Sequence, residues 1–218
     1  ITGDGAETRA ELDFWNEDRS VVKIGGSSLP SEDVIPAYIR IENLEIRSAR
    51  PGYTFTGDDG SEQEYGENAA AIHVEVGENI TIANCVLHDA ANGLFTGHGS
   101  ADVLVTGNSV YDNGIEESIY QHNSYTESFG IVFQYNHYGP LRADCGGNNL
   151  KDRSAGTVIR YNWLESGSRE LDLVESDYDD FVSDASYAET FVYGNVLVEP
   201  DEEGNSQIVH YGGDGDDE

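Results

Sequence analysis

A chain of 218 residues with 42 acidic against 11 basic side chains carries a formal net charge of −31. Phosphate recognition needs basic footprints, so nucleic acid is not an expected partner, and no run approaches the roughly 18 apolar residues of a membrane-spanning helix. The length fits one domain with a sizeable core, and the acidity fits a surface adapted to salt or sea water, specific calcium binding, or both together.

In chain order, residues 1–36 read as an irregular N-terminal coil or cap. It contains a turn at Thr2–Gly5, an alternating stretch at Glu11–Trp15, and a β-branched run at Ser20–Ile24 that ends in glycines. From Tyr38 a pattern begins in which one apolar residue is followed five positions later by another, with asparagine between them. Its copies are Ile41/Asn43/Ile46, Ile82/Asn84/Leu87, Val105/Asn108/Val110, Phe133/Asn136/Tyr138, Ile159/Asn162/Leu164 and Val192/Asn195/Leu197. A fixed unit with variable insertions is how a solenoid reads. Short β-branched runs form the strands, asparagine bends the chain, and asparagine stacked on asparagine explains a polar residue recurring at one interior corner. Helical periodicity is not sustained over any long stretch, so helix content should be low and the expected fold is all-β, a right-handed parallel β-helix.

A further strand is expected between these units. Its inward residues are Ile72/Val74, Leu94, Ile119, Leu150, Leu171/Leu173 and Ile208, and its outward ones His73/Glu75, Phe95, Tyr120/His122, Lys151, Asp172 and Val209. Coils about 4.8 Å apart then make His122, Lys151 and Asp172 neighbours in space. Residues 57–64 and 175–180 are acidic loops without the spacing of an EF-hand, open to calcium but also readable as solvated loops. Residues 212–218 form an acidic tail, and no capping element follows the last copy, so a shortened C-terminus is expected. A chain that begins at Ile1 and lacks methionine also reads as a processed or trimmed piece. Cys85 and Cys145 are either one disulfide or, for Cys85, a small buried apolar residue.

The cations are uneven. None lies between residues 51 and 141, and then Arg142, Lys151, Arg153, Arg160 and Arg169 follow within 28 residues, the only other lysine being Lys23. Such a cluster in so acidic a chain points to a local anion site, whereas Arg160 and Arg169 could instead serve ion pairs with Glu165, Glu170 or Asp172. The tyrosines at 120, 125, 135, 138 and 161 offer faces for sugar stacking.

Asn149-Leu-Lys151, Thr157–Asn162, Glu170–Leu173 and Phe191–Asn195 together resemble bacterial right-handed parallel β-helix proteins and, more distantly, the chondroitinase B and alginate lyase group of polysaccharide lyases. The resemblance implies a secreted protein, extracellular or periplasmic, that cleaves an acidic uronic-acid polysaccharide by β-elimination. Lys151 matches the lysine base of that group. The position one coil on falls in Leu171–Val174 and holds no arginine, which leaves Arg153 or Arg169 for the assisting role. On this reading Lys151, Arg153 and His122 are catalytic, while Arg142, Tyr120, Asp172 and Arg169 bind substrate. The substrate carboxylate must be neutralised by arginine or by calcium before its α-proton is acidic. The alternatives are a non-catalytic carbohydrate-binding or surface solenoid, and a glycoside hydrolase using two of Asp152, Asp172 and Glu175.

Overall fold

The computed structural model describes residues 17–26, 34–57, 59–201 and 204–213. The turn and strand expected within residues 1–16, and most of the acidic tail, lie outside them. The chain is an all-β parallel solenoid whose successive coils add one short strand to each of three columns. The first column comprises Ser20–Ile24, the first parts of the long strands Ala70–Ala83 and Asn92–Thr106, and then Ser124–Thr126, Leu150–Asp152, Leu171–Val174 and Val209–Gly212. The second holds Ala37–Glu42, the later parts of the two long strands, Ser128–Gln134, Ala155–Arg160 and Phe191–Tyr193. The third runs Glu45–Arg47, Val86–His88, Ser109–Tyr111, His137–Tyr138, Trp163–Glu165 and Val196–Val198. Every pairing in these columns is parallel. An antiparallel hairpin, Thr54–Thr56 with Glu62–Glu64, forms the first acidic loop.

Side chains alternate in and out, so like residues pile up along the axis. Ile41, Ile82, Val105, Phe133, Ile159 and Val192 share one register, and Ile46, Leu87, Val110, Tyr138, Leu164 and Leu197 another. Most of them are fully buried, and each such side chain contributes roughly 1.5–3 kcal/mol of transfer free energy.

The corner after the second column explains why the asparagine spacing varies in the sequence. Two residues past the first apolar position stand Asn43, Asn84, Gly107, Tyr135, Tyr161 and Gly194, all with φ between 52° and 68°. This is the left-handed turn, open to glycine and tolerated by asparagine. The next residue, Leu44, Cys85, Asn108, Asn136, Asn162 or Asn195, points inward. From Asn108 onward the amides form a ladder, with Asn108 Nδ2 to Asn136 Oδ1 at 3.0 Å, Asn136 Nδ2 to Asn162 Oδ1 at 2.9 Å and Asn162 Nδ2 to Asn195 Oδ1 at 3.0 Å. In the first two copies asparagine makes the turn; in the last four it makes the ladder. Cys85 caps the ladder, its N–H donating to Asn108 Oδ1, and it is not bonded to Cys145.

Three expectations need correction. Ser20–Ile24 pairs with Ala70–Ala83, so the solenoid already includes part of the segment expected to be an irregular cap. Ile119 does not face inward; it is 62% exposed. The strand of that coil is Ser124–Thr126, where Ser124 stands opposite Leu94 and Leu150. Serine gives no apolar signal, and it is accommodated inside because its hydroxyl meets the Tyr138 hydroxyl at 3.1 Å. Leu150 and Leu171, by contrast, stand opposite each other on the inner wall as expected. Val209, expected to point outward, takes the register of Leu171 one coil on, while Ile208 precedes that strand.

Candidate functional site

The outer side of the first column carries an unbroken register of polar and aromatic residues: Lys23, His73, Phe95, Tyr125, Lys151, Asp172 and His210. Residues 112–123 lead into this face and residues 175–190 lead away from it, so the two insertions flank the column on opposite edges.

Asp172 is the hub of the column. Its side chain is 1% exposed, and Lys151 Nζ stands 3.8 Å from Oδ2. His210 Nδ1 lies 2.8 Å and Arg169 Nη1 3.3 Å from Oδ1, while Asn148 Nδ2 donates to Oδ2 at 2.7 Å. A buried carboxylate is tolerated only with such compensation. Lys151 Nζ also sits 5.7 Å from the ring centre of Tyr125, a cation–π distance. Arg153 Nε donates to the Tyr125 hydroxyl oxygen at 3.2 Å, and its Nη1 bonds the Glu175 carbonyl and approaches Asp177 Oδ1 at 3.7 Å. Arginine only donates, so the Tyr125 oxygen accepts there and its own O–H can be given elsewhere.

His122 is buried at the start of this face. Its Nδ1 accepts the Asn148 N–H at 2.9 Å, and its ring lies edge-on to Tyr125 with centres 5.3 Å apart. It supports the Tyr125 ring instead of occupying the outward column position expected for it. At the far end of the column His73 is pushed down to about 3 by burial and by the charges of Arg19 and Lys23.

Lys151, Arg153, His122, Asp172 and Arg169 are thus brought together, while two expected residues are not. Tyr120 is 72% exposed on the insertion and is not in the column, because the strand begins at Ser124. Arg142 is bound elsewhere: Nη2 donates to Asp89 at 2.7 Å and to the Asp112 carbonyl at 3.0 Å, and Nε to the Gly114 carbonyl at 3.0 Å. Burial raises Asp89, but hydrogen bonds from Tyr53, Arg50 and Arg142 outweigh it and hold the carboxyl at about 2. Arg160 likewise turns to Gln134 and Tyr193 on the second column, not to an acidic residue.

Asp152 faces the interior, not the outer face. It accepts hydroxyls from Thr126, Ser154 and Thr157 at 2.6–2.7 Å, and burial raises its carboxyl. A cavity of about 330 Å³ beyond it is lined by Ser154, Leu173, Tyr187 and Tyr211 among others. Of the tyrosines expected to offer stacking faces, Tyr138 is fully buried, and Tyr135 and Tyr161 stack on each other at 5.6 Å. His210 and Asn148 were missed in the sequence. Asn148 stands three residues before Lys151 and carries no repeat signal, and His210, not Val209, holds the outward register because the strand is set one residue later than its alternation suggests. Among the described residues no three histidine, cysteine or acidic side chains gather as a metal-binding group, and no helix is long and apolar enough to cross a membrane.

No family model, curated protein or solved structure matches this chain.

Proposed function

We propose that the outer face of the first column binds an acidic, uronic-acid polysaccharide and cleaves it by β-elimination, in a secreted protein acting outside the cell or in the periplasm. The single observation that carries this reading is the grouping of Lys151, Arg169 and His210 around one carboxylate, with Tyr125 one coil before Lys151 and Arg153 two residues after it, in a chain of net charge −31. Cations concentrated in one place on so negative a surface mark where an anion is received.

In the proposed reaction Arg169 and His210 hold the substrate carboxylate, which makes the adjacent C–H acidic. Lys151 serves as the base that takes that proton; the C–H electron pair forms a double bond as the bond to the β-oxygen breaks. The departing oxygen takes the Tyr125 hydroxyl proton, and Arg153 stabilises the phenolate that remains. Incubation with alginate, pectate and glycosaminoglycans tests this through the ultraviolet absorbance of an unsaturated uronide. Absorbance that appears with the native chain and is lost in Lys151→Ala supports elimination, and reducing ends without absorbance overturn it in favour of hydrolysis.

A second reading has its own support. Lys151 and Arg169 already face Asp172, and Arg153 faces Asp177, which suits a face that binds acidic glycans without turnover. Retention on an acidic polysaccharide column with no product formed would favour it.

A further inference from the structure

A second interior ladder stands where each coil turns into the first column. Asn113 Nδ2 donates to Asn123 Oδ1 at 2.9 Å, and Asn123 Nδ2 to Asn149 Oδ1 at 2.6 Å. Gly93 leaves it room: a Cβ there would lie 2.5 Å from the Asn123 carbonyl and 2.7 Å from Asn113 Nδ2. Asn149 immediately precedes Leu150, and the residue that immediately precedes the next register partner, Leu171, is Glu170. The ladder position after Asn149 is therefore held by a carboxyl group.

Glu170 is fully buried, and neither of its carboxyl oxygens has a hydrogen-bond partner of proper geometry. The same is true of both oxygens of Glu199, which follows the third-column strand of the next coil and lies against Glu170. Arg169, next in sequence, does not compensate them, since Nη1 goes to Asp172 and Nη2 to Gln207. Gly204, with φ of 69°, keeps the place open: a Cβ there would fall 1.9 Å from Glu199 Oε1 and 2.9 Å from the Gly167 carbonyl oxygen. Burial and the neighbouring Glu199 carboxyl push Glu170 well above the usual carboxylate range, and the backbone N–H groups of Glu170 and Gly167 only partly oppose this.

Buried carboxyl oxygens without well-formed hydrogen bonds call for a positive partner. We propose that Glu170 and Glu199, together with the Gly167 carbonyl, bind a hard divalent cation of the calcium class that clamps two successive coils. Calcium takes six to eight oxygen ligands from carboxylates, backbone carbonyls and water, and the three protein groups supply the first of these. The site lies at an interior corner, distinct from the outer face of the first column, and does not depend on the reaction proposed for that face.

The test is calorimetric titration of the full chain, stripped with chelator, with calcium chloride in high salt, which screens the diffuse negative surface. The expected result is one saturating calcium per chain, together with a calcium-dependent rise in melting temperature. Both are expected to be lost in Glu199→Gln and Glu170→Gln and kept in Asp59→Asn, a change on the exposed hairpin loop. The glutamine variants remove the charge at nearly constant volume, and far-UV circular dichroism checks that they fold. Equal calcium responses in the native chain and both glutamine variants would overturn the proposal. So would an absence of binding with a native melting temperature that falls as pH rises, because the pair would then hold a shared proton.

Discussion

Lys151 and Asp172 occupy the same outward register on adjacent coils, with Nζ 3.8 Å from Oδ2, and Asp172 simultaneously faces His210 and Arg169. One nearly buried carboxylate therefore holds three potential cations. If the face receives an acidic glycan as proposed, that glycan competes with Asp172 for the same groups. Replacing Asp172 by Asn is expected to lower stability by about 3 kcal/mol, the usual scale for breaking a buried ionic group. It is also expected to tighten binding of an acidic oligosaccharide several-fold at low salt, an effect that shrinks as salt is raised. Urea denaturation and titration at two ionic strengths check both; weaker binding at low salt would show that Asp172 itself touches the ligand.

The exposed Ile119 and the buried Leu150 provide a test of register. Ile119→Ser is expected to change stability by less than about 0.5 kcal/mol, as surface substitutions do. Leu150→Ala is expected to cost roughly 2–5 kcal/mol. Comparable losses in the two variants would return Ile119 to the inner wall.

Asn136 stands in the middle of the first ladder. Its Oδ1 accepts from the Asn108 backbone and side chain, and its Nδ2 donates to Asn162 Oδ1 and the Val105 carbonyl. Asn136→Ala leaves several of these buried groups without partners, each worth about 1–3 kcal/mol, so a loss of at least about 3 kcal/mol is expected by denaturant titration. Tyr135→Gly, one residue earlier at the left-handed turn, removes backbone strain along with its stack on Tyr161. It should be far milder.

His73 gives a pH dependence with a definite sign. Its folded value is lowered from 6.5 to about 3, principally by burial. The unfolded chain therefore binds the proton first. The stability tied to this group is complete above pH 6.5 and is lost as pH falls from there toward 3, with a slope of up to about 1.4 kcal/mol per pH unit for one group. His73→Phe is expected to flatten that part of the curve of melting temperature against pH. An unchanged slope would assign the acid sensitivity to other groups.

The solenoid was legible because its core residues repeat at the same offset and its turn residues are chemically narrow. Apolar pairs five positions apart, with asparagine near the corner, carry both signals in the chain itself. The site was legible where it rides on that repeat, as with Lys151 and Asp172, whose apolar neighbours Leu150 and Leu171 fix which way they point. It was not legible in the coil containing Tyr125. There Ser124 and Thr126 replace the apolar inward residues, and the alternating stretch around Ile119 imitates a strand while lying on an insertion. Nor does sequence reveal side-chain pairing across coils: Arg142 and Arg153 are both arginines near the same repeat, yet Arg142 serves Asp89 and Arg153 serves Tyr125. Glu170 is not recognisable in the sequence as the continuation of an asparagine ladder, because Asn113, Asn123 and Asn149 are unevenly spaced along the chain.

Whether the outer face of the first column acts on an acidic polysaccharide is decided by comparing turnover by Lys151→Ala with turnover by Arg160→Gln. Arg160 lies on the second column, away from Tyr125 and Asp172. The absorbance of unsaturated product is expected to fall by a factor of about 100 or more in the first variant, as when a general base is removed, and to be unchanged in the second. Equal activity in the two variants would contradict that action.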